Sequence, residues 1–117
     1  FLKPDYAAPE QYRTAREGIP KEEGPWTDVY ALGATLYYLL TGQKPPDVIQ
    51  RLGGTHTEVT LPKKCRLKRK REWEKLLNRA MALDVRERIQ TAGELEKEMR
   101  MLLEGKKNRK ERKGERK

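Results

Sequence analysis

One cysteine, Cys65, occurs in the chain, so no internal disulfide can form. A reducing compartment fits that count. One histidine, His56, has no second ligand or base beside it, and metal or general-base chemistry needs such partners. His56 therefore reads as a loop residue. No apolar run reaches the roughly 20 residues a membrane-spanning helix requires, and nothing resembles a signal peptide. Glycine-rich phosphate-binding loops are missing too, as are paired Cys or His ligands and any legible nucleophile–base pair. By itself the chain lacks the parts of an active site. Apolar residues are also scarce: they make up 35% of 117 residues, against 38% charged, so the core is thin for the length.

What the sequence does have is positive charge, with a net of +9. Such a balance suggests nucleic acid or anionic lipid as a partner. The excess is local, however. Lys63 to Lys75 holds eight Lys/Arg against two acids, and Glu104 to Lys117 holds eight against three. The remainder is close to −2. The basicity belongs to two runs rather than to the domain as a whole.

The least polar stretch runs from Thr27 to Gly42 and carries a single charge, Asp28. Its apolar or small side chains fall on every face, the pattern of a buried helix. It should be the post around which the other helices stand. Thr27 is placed to cap it, because its hydroxyl can accept from a free backbone N–H. Gly42 can stop it, since glycine takes left-handed dihedrals without a Cβ clash. Asp28 suits the positive end of the helix. Trp26 can close one end of the core with its indole.

Upstream, Pro4 and Pro9 rule out one continuous helix, but Pro9 can open a short one with Glu10 in its first turn. Arg13 to Pro25 is a polar loop. Downstream, Pro45-Pro46 forces extended chain, and Val48 to Leu52 fits a short helix ended by Gly53-Gly54. Thr55 to Lys64 has no helical period. Lys70 to Ala82 is amphipathic, with Trp73, Leu76, Leu77, Ala80 and Met81 at helical spacing. Thr91-Ala92-Gly93-Glu94 matches a capping box. Leu95, Met99, Leu102 and Leu103 give the last helix an inner stripe, and Gly105 ends it. Lys106 to Lys117 has no apolar side chain and should be disordered. The chain starts Phe1-Leu2-Lys3 without methionine, which suggests a start cut from something longer.

Ala8-Pro9-Glu10 matches the A-P-E signature that closes a kinase activation segment. The triplet is weak alone, but it does not stand alone. Tyr6 to Tyr12 is followed by Gly24-Pro25-Trp26-Thr27-Asp28-Val29-Tyr30-Ala31-Leu32-Gly33, then Leu39-Leu40-Thr41-Gly42, Pro45-Pro46, and Ala82-Leu83-Asp84 with Glu87-Arg88. In order and spacing this set resembles the lower half of the large lobe of a bacterial, eukaryotic-type Ser/Thr protein kinase, over about residues 3 to 103.

The resemblance implies an all-α fold: a helical subdomain of the kinase C-lobe, made of the end of the activation segment and the last four or five helices. It divides the chain into a partial kinase domain, 1–104, and a basic tail, 105–117. Lys3, Pro4, Asp5 and Tyr6 would lie in the loop that docks the substrate beside the phosphoacceptor. Glu10 and Arg88 would form the family's buried ion pair, for which arginine offers a planar two-donor fork. Asp28 would accept backbone N–H bonds from the catalytic loop and fix its shape. Pro46 to Leu52 would be the helix that faces substrates and regulators.

Two departures stand out. Leu2-Lys3-Pro4 replaces the usual Gly-Thr-Pro, and the usual threonine helps position the catalytic base. Val85 and Ile89 replace common prolines, which loosens a turn and leaves the chemistry alone. The glycine-rich loop, the ATP-holding lysine, H-R-D and D-F-G all lie upstream in a kinase, and none is here. The resemblance therefore implies that ATP and Mg2+ belong to the full-length protein and that no residue here is catalytic. Its partners would be the missing N-lobe and upstream C-lobe and protein substrates, in the cytoplasm or on the cytoplasmic part of a membrane-anchored kinase. Two other readings compete: a pseudokinase scaffold, and a small basic helical protein that binds nucleic acid through its basic runs.

Overall fold

The computed structural model describes residues 6–11, 23–53 and 57–105. Lys3, Pro4, Asp5, His56, most of the 13–25 loop and the basic tail lie outside the described residues. All regular structure within them is helical. Residues 9–11 are helical, opened by Pro9. The Gln11 side chain accepts from the Ala8 N–H at 2.9 Å, satisfying one of the free donors of that turn.

Helix α1, Pro25–Thr41, is the longest element. It starts two residues before the expected cap. Gly24 is the N-cap and Pro25 occupies the first helical position, where its missing N–H costs nothing. Thr27 is thus the third helical residue. Its hydroxyl still accepts from a backbone N–H, that of Gly24, at 3.1 Å. At the other end Gly42 takes φ +73°, and its N–H reaches the Tyr38 carbonyl at 2.7 Å.

Only one side of α1 is covered. Val29, Tyr30, Gly33, Ala34, Leu36 and Tyr37 are buried, while Leu32, Tyr38 and Leu39 are exposed, Leu39 to 72%. A helix apolar on every face is thus covered on one side by its own chain, and an apolar side of α1 is open to solvent.

Asp47 caps helix α2, Val48–Gly53, by accepting the Ile49 N–H at 2.7 Å. Helix α3, Lys70–Ala80, turns Trp73, Leu76, Leu77 and Ala80 inward, with Met81 just after it. Its polar side chains do a second job. Asn78 both donates to and accepts from the Val59 backbone, at 2.7 and 2.8 Å, and Glu74 accepts the Leu61 N–H at 2.7 Å. The extended 59–61 segment thereby gains partners without a neighbouring strand, and Val59 and Leu61 join the core.

A 3-10 turn, Val85–Glu87, leads to helix α4, Ala92–Leu103. Thr91 caps α4 by accepting the Glu94 N–H at 3.1 Å. The return arm of the expected box lands one residue early: Glu94 accepts from Gln90 rather than from Thr91. Leu95 is buried and Met99 and Leu102 pack on the core, but Leu103 is 74% exposed and leaves the expected stripe. Gly105, at φ +78°, ends the element. Helices α1, α3 and α4 pack on one another around a single core. Gly33 sets how closely α1 approaches α3, since a Cβ there would lie 2.8 Å from Met81 Cγ and 3.0 Å from Ala80 Cβ.

Candidate functional site

The most strongly bonded polar centre joins residues 78 positions apart. Arg88 sits at the end of the 3-10 turn, and its side chain is fully buried. One guanidinium nitrogen donates to Glu10 Oε2 at 2.7 Å and the other to Oε1 at 3.0 Å, a two-pronged pair. Its remaining donors reach the Trp26 carbonyl at 3.0 Å and the Ala82 carbonyl at 2.9 Å. The charged plane lies 5.2 Å from the centroid of the Tyr30 ring. Glu10, 4% exposed, accepts a third bond from the Thr27 hydroxyl at 2.7 Å. Thr27 thus relays between the start of α1 and the carboxylate. Burial pushes the Glu10 carboxyl up, but the bonds from Arg88 and Thr27 and the Arg88 charge outweigh it, and its pKa is lowered.

A second buried guanidinium meets the hydroxyl of Tyr30. Arg51, on α2, donates to the Tyr30 hydroxyl at 3.0 Å, to the Met81 carbonyl at 2.8 Å and to the Thr57 carbonyl through two nitrogens at 2.7 and 3.0 Å. Burial raises the Tyr30 phenol above its ordinary range, and the Arg51 and Arg88 charges only partly offset this. Among the described residues no buried side-chain nitrogen or oxygen lacks a hydrogen-bond partner. Arg51 was not legible in the sequence, because carbonyls and one phenol leave no charge pattern to read.

The remaining site residues named from sequence do not join this centre. Tyr6 is half-buried against the core. Asp28 is exposed in the first turn of α1, and no described residue hydrogen-bonds to its carboxylate. Asp84 accepts from its neighbour Arg86, whose bonds hold its carboxyl below the usual range. No three His, Cys, Asp or Glu come together among the described residues. Chemically the centre is a clamp: it ties residue 10, the start of α1 and the 82–88 turn into one unit.

No family model and no curated protein matches the chain. Among solved structures it is similar to one described as "PpkA-294 apo form", with 33% sequence identity and a TM-score of 0.57. The match covers 84% of this chain and 32% of that one, so the chain spans about a third of the length of its structural neighbour. The described helices thus form an all-α subdomain whose fold is similar to part of PpkA-294.

Proposed function

We propose that the chain is the C-terminal part of the large lobe of a Ser/Thr protein kinase. In the whole protein the γ-phosphoryl group of ATP would pass to a Ser or Thr hydroxyl. The observation that carries the reading is the Glu10–Arg88 clasp. It joins an A-P-E glutamate to an arginine late in the chain, and the motifs between them occur in kinase order. The similarity to PpkA-294 supports the same assignment.

In this reading residues 1–104 supply the end of the activation segment and the helical base of the lobe. Lys3, Pro4, Asp5 and Tyr6 form the substrate-docking loop. Asp28, exposed on α1, anchors the backbone of a catalytic loop that comes from sequence outside these 117 residues. The open side of α1 receives the upstream part of the same lobe. ATP and Mg2+ would be held by kinase motifs that lie upstream in the family and do not occur in this sequence. They belong with the N-lobe and the upstream C-lobe.

The test is phosphoryl transfer to a Ser/Thr protein by the chain joined to its upstream coding sequence. Asp28→Asn should lower the turnover rate while leaving the fold intact, because a neutral amide accepts backbone N–H bonds more weakly than a carboxylate. Transfer unaffected by Asp28→Asn would remove its anchoring role. No transfer with intact upstream motifs would favour a scaffold, a reading that Leu2-Lys3-Pro4 in place of Gly-Thr-Pro already supports.

A further inference from the structure

One described segment carries charge of a single sign. Residues 63–71 hold seven Lys/Arg and no acid. The segment is pinned rather than loose. The Lys70 ammonium donates to the Pro62 carbonyl at 2.7 Å, and the Cys65 N–H donates to the same oxygen at 3.0 Å. The Arg69 guanidinium donates to the Gly105 carbonyl at 2.6 Å, which fastens the segment to the end of α4. Lys70 and Arg69 thus meet neutral oxygens, and their charge is not cancelled. Lys63, Lys64, Arg66, Lys68 and Arg71 are exposed, and none forms an ion pair among the described residues.

The same segment is one wall of an apolar cleft. Leu67, Lys68 and Arg69 border an open space of about 910 Å³. Its other walls include Leu40 of α1, Trp73 of α3 and Leu103 of α4, and Leu103 is 74% exposed. Pockets that hold a ligand run to about 300–1,000 Å³. Glu72 and Glu104 line the cleft as well, so its interior is close to neutral and the positive excess lies along its edge.

We propose that this edge and cleft together dock a segment of a partner protein that mixes acidic and apolar side chains. Its carboxylates meet Lys64, Arg66 and Lys68, and an apolar side chain enters the cleft beside Leu103. Charge complementarity selects the occupant: the edge calls for an anionic chain, and the apolar walls call for a side chain that a phosphate backbone lacks. Duplex nucleic acid would satisfy the charges alone. Trp73, the one aromatic residue on the cleft among the described residues, is 4% exposed and offers no ring face to an unpaired base. Because the basic segment is already held in place, docking orders little of this chain. Peptide binding can succeed or fail whatever the upstream sequence holds, so it is independent of the kinase reading.

Fluorescence anisotropy tests this on the full 117-residue chain in about 0.1 M salt, where the screening length is about 10 Å. The probes are a labelled peptide of Glu-Glu-Leu repeats, the same peptide with serine for leucine, and a random DNA duplex. The leucine peptide should bind about tenfold tighter than the serine peptide, the worth of one buried leucine. Arg66→Gln with Lys68→Gln should weaken it about tenfold, at about threefold per exposed cation. Arg86→Gln with Arg100→Gln removes the same charge elsewhere and should leave binding unchanged. Leu103→Ser should weaken the leucine peptide about tenfold and leave the serine peptide alone. The chain joined to its upstream coding sequence should bind as the 117 residues do. Equal binding of the two peptides would overturn the proposal, as would equal losses from the two arginine-containing pairs or a Leu103→Ser variant that binds like wild type. So would tighter binding to the duplex, or a cleft that the upstream sequence closes to the peptide.

Discussion

Replacing Arg88 by methionine tests whether the buried clasp holds the fold together. Methionine keeps much of the volume and removes five donors. Glu10, 4% exposed, then keeps the Thr27 hydroxyl but loses the buried charge of Arg88. The Trp26 and Ala82 carbonyls lose their bonds as well. Removing one partner of a buried pair typically costs about 3–5 kcal/mol. That is most of the stability of a small domain, which starts at about 5 kcal/mol. The partly exposed pair Arg79–Glu98 serves as the control, and its removal should cost about 0–1 kcal/mol.

The pH dependence gives a second, sharper readout. In the wild type the Glu10 pKa is lowered on folding. Its contribution is therefore complete above the unfolded value, about 4.3, and is lost as pH falls through the folded value. Without Arg88, burial dominates and the folded pKa lies above the unfolded one. The sign reverses: acidification from neutral pH should stabilise Arg88→Met while it destabilises the wild type. Urea unfolding followed by tryptophan fluorescence at neutral and mildly acid pH measures both effects. A cost below about 1 kcal/mol, or the same pH slope in the two proteins, would refute the reasoning.

Four further outcomes follow from the packing. Gly33→Ala forces a Cβ against Met81 and Ala80 at 2.8 and 3.0 Å, so an overpacking cost of about 1–3 kcal/mol should exceed the helix gain of about 1 kcal/mol; a higher melting temperature would contradict this. Arg51→Met strips the Met81 and Thr57 carbonyls and the Tyr30 hydroxyl of a shared donor, and should cost about 2–4 kcal/mol by chemical denaturation; a loss within the error of a surface substitution would contradict the buried placement. Tyr30 has a raised pKa, so the unfolded phenol ionises first and stability should fall as pH rises above about 10; a Tyr30→Phe variant should keep more of its stability there, and identical alkaline titrations would refute this. The open face of α1 with Leu32, Tyr38 and Leu39 should drive self-association of the isolated chain, relieved by Leu39→Glu; sedimentation velocity showing a strict monomer for the wild type would contradict it.

Much of the architecture was legible because short-range chemistry decides it. Pro9 opens a helical turn, Gly42 and Gly105 close α1 and α4 with left-handed backbone, and Thr91 caps α4. The apolar spacing of α3 names its buried residues directly. Errors arose where two local signals competed. Thr27 looks like a cap, but Gly24-Pro25 begins the helix first, and Thr27 instead spends its hydroxyl on Glu10. Leu103 obeys the periodicity of α4 yet, as its last residue, is 74% exposed. A helix apolar on every face does not by itself say which faces its own chain covers; on α1 the uncovered side holds Leu32, Tyr38 and Leu39.

The 10–88 pairing was expected from family resemblance, because nothing in composition or period ties a glutamate to an arginine 78 residues away. Arg51 had no such help. Its partners are neutral oxygens contributed by three separate segments, and only folding brings them together.

The most direct test is to sequence the gene upstream of the Phe1 codon. An open frame of about 150 residues, roughly one domain's length, should continue in phase and carry an H-R-D loop followed by D-F-G before Leu2. A stop codon or an unrelated frame close to Phe1 would contradict the assignment of these helices to a phosphotransferase.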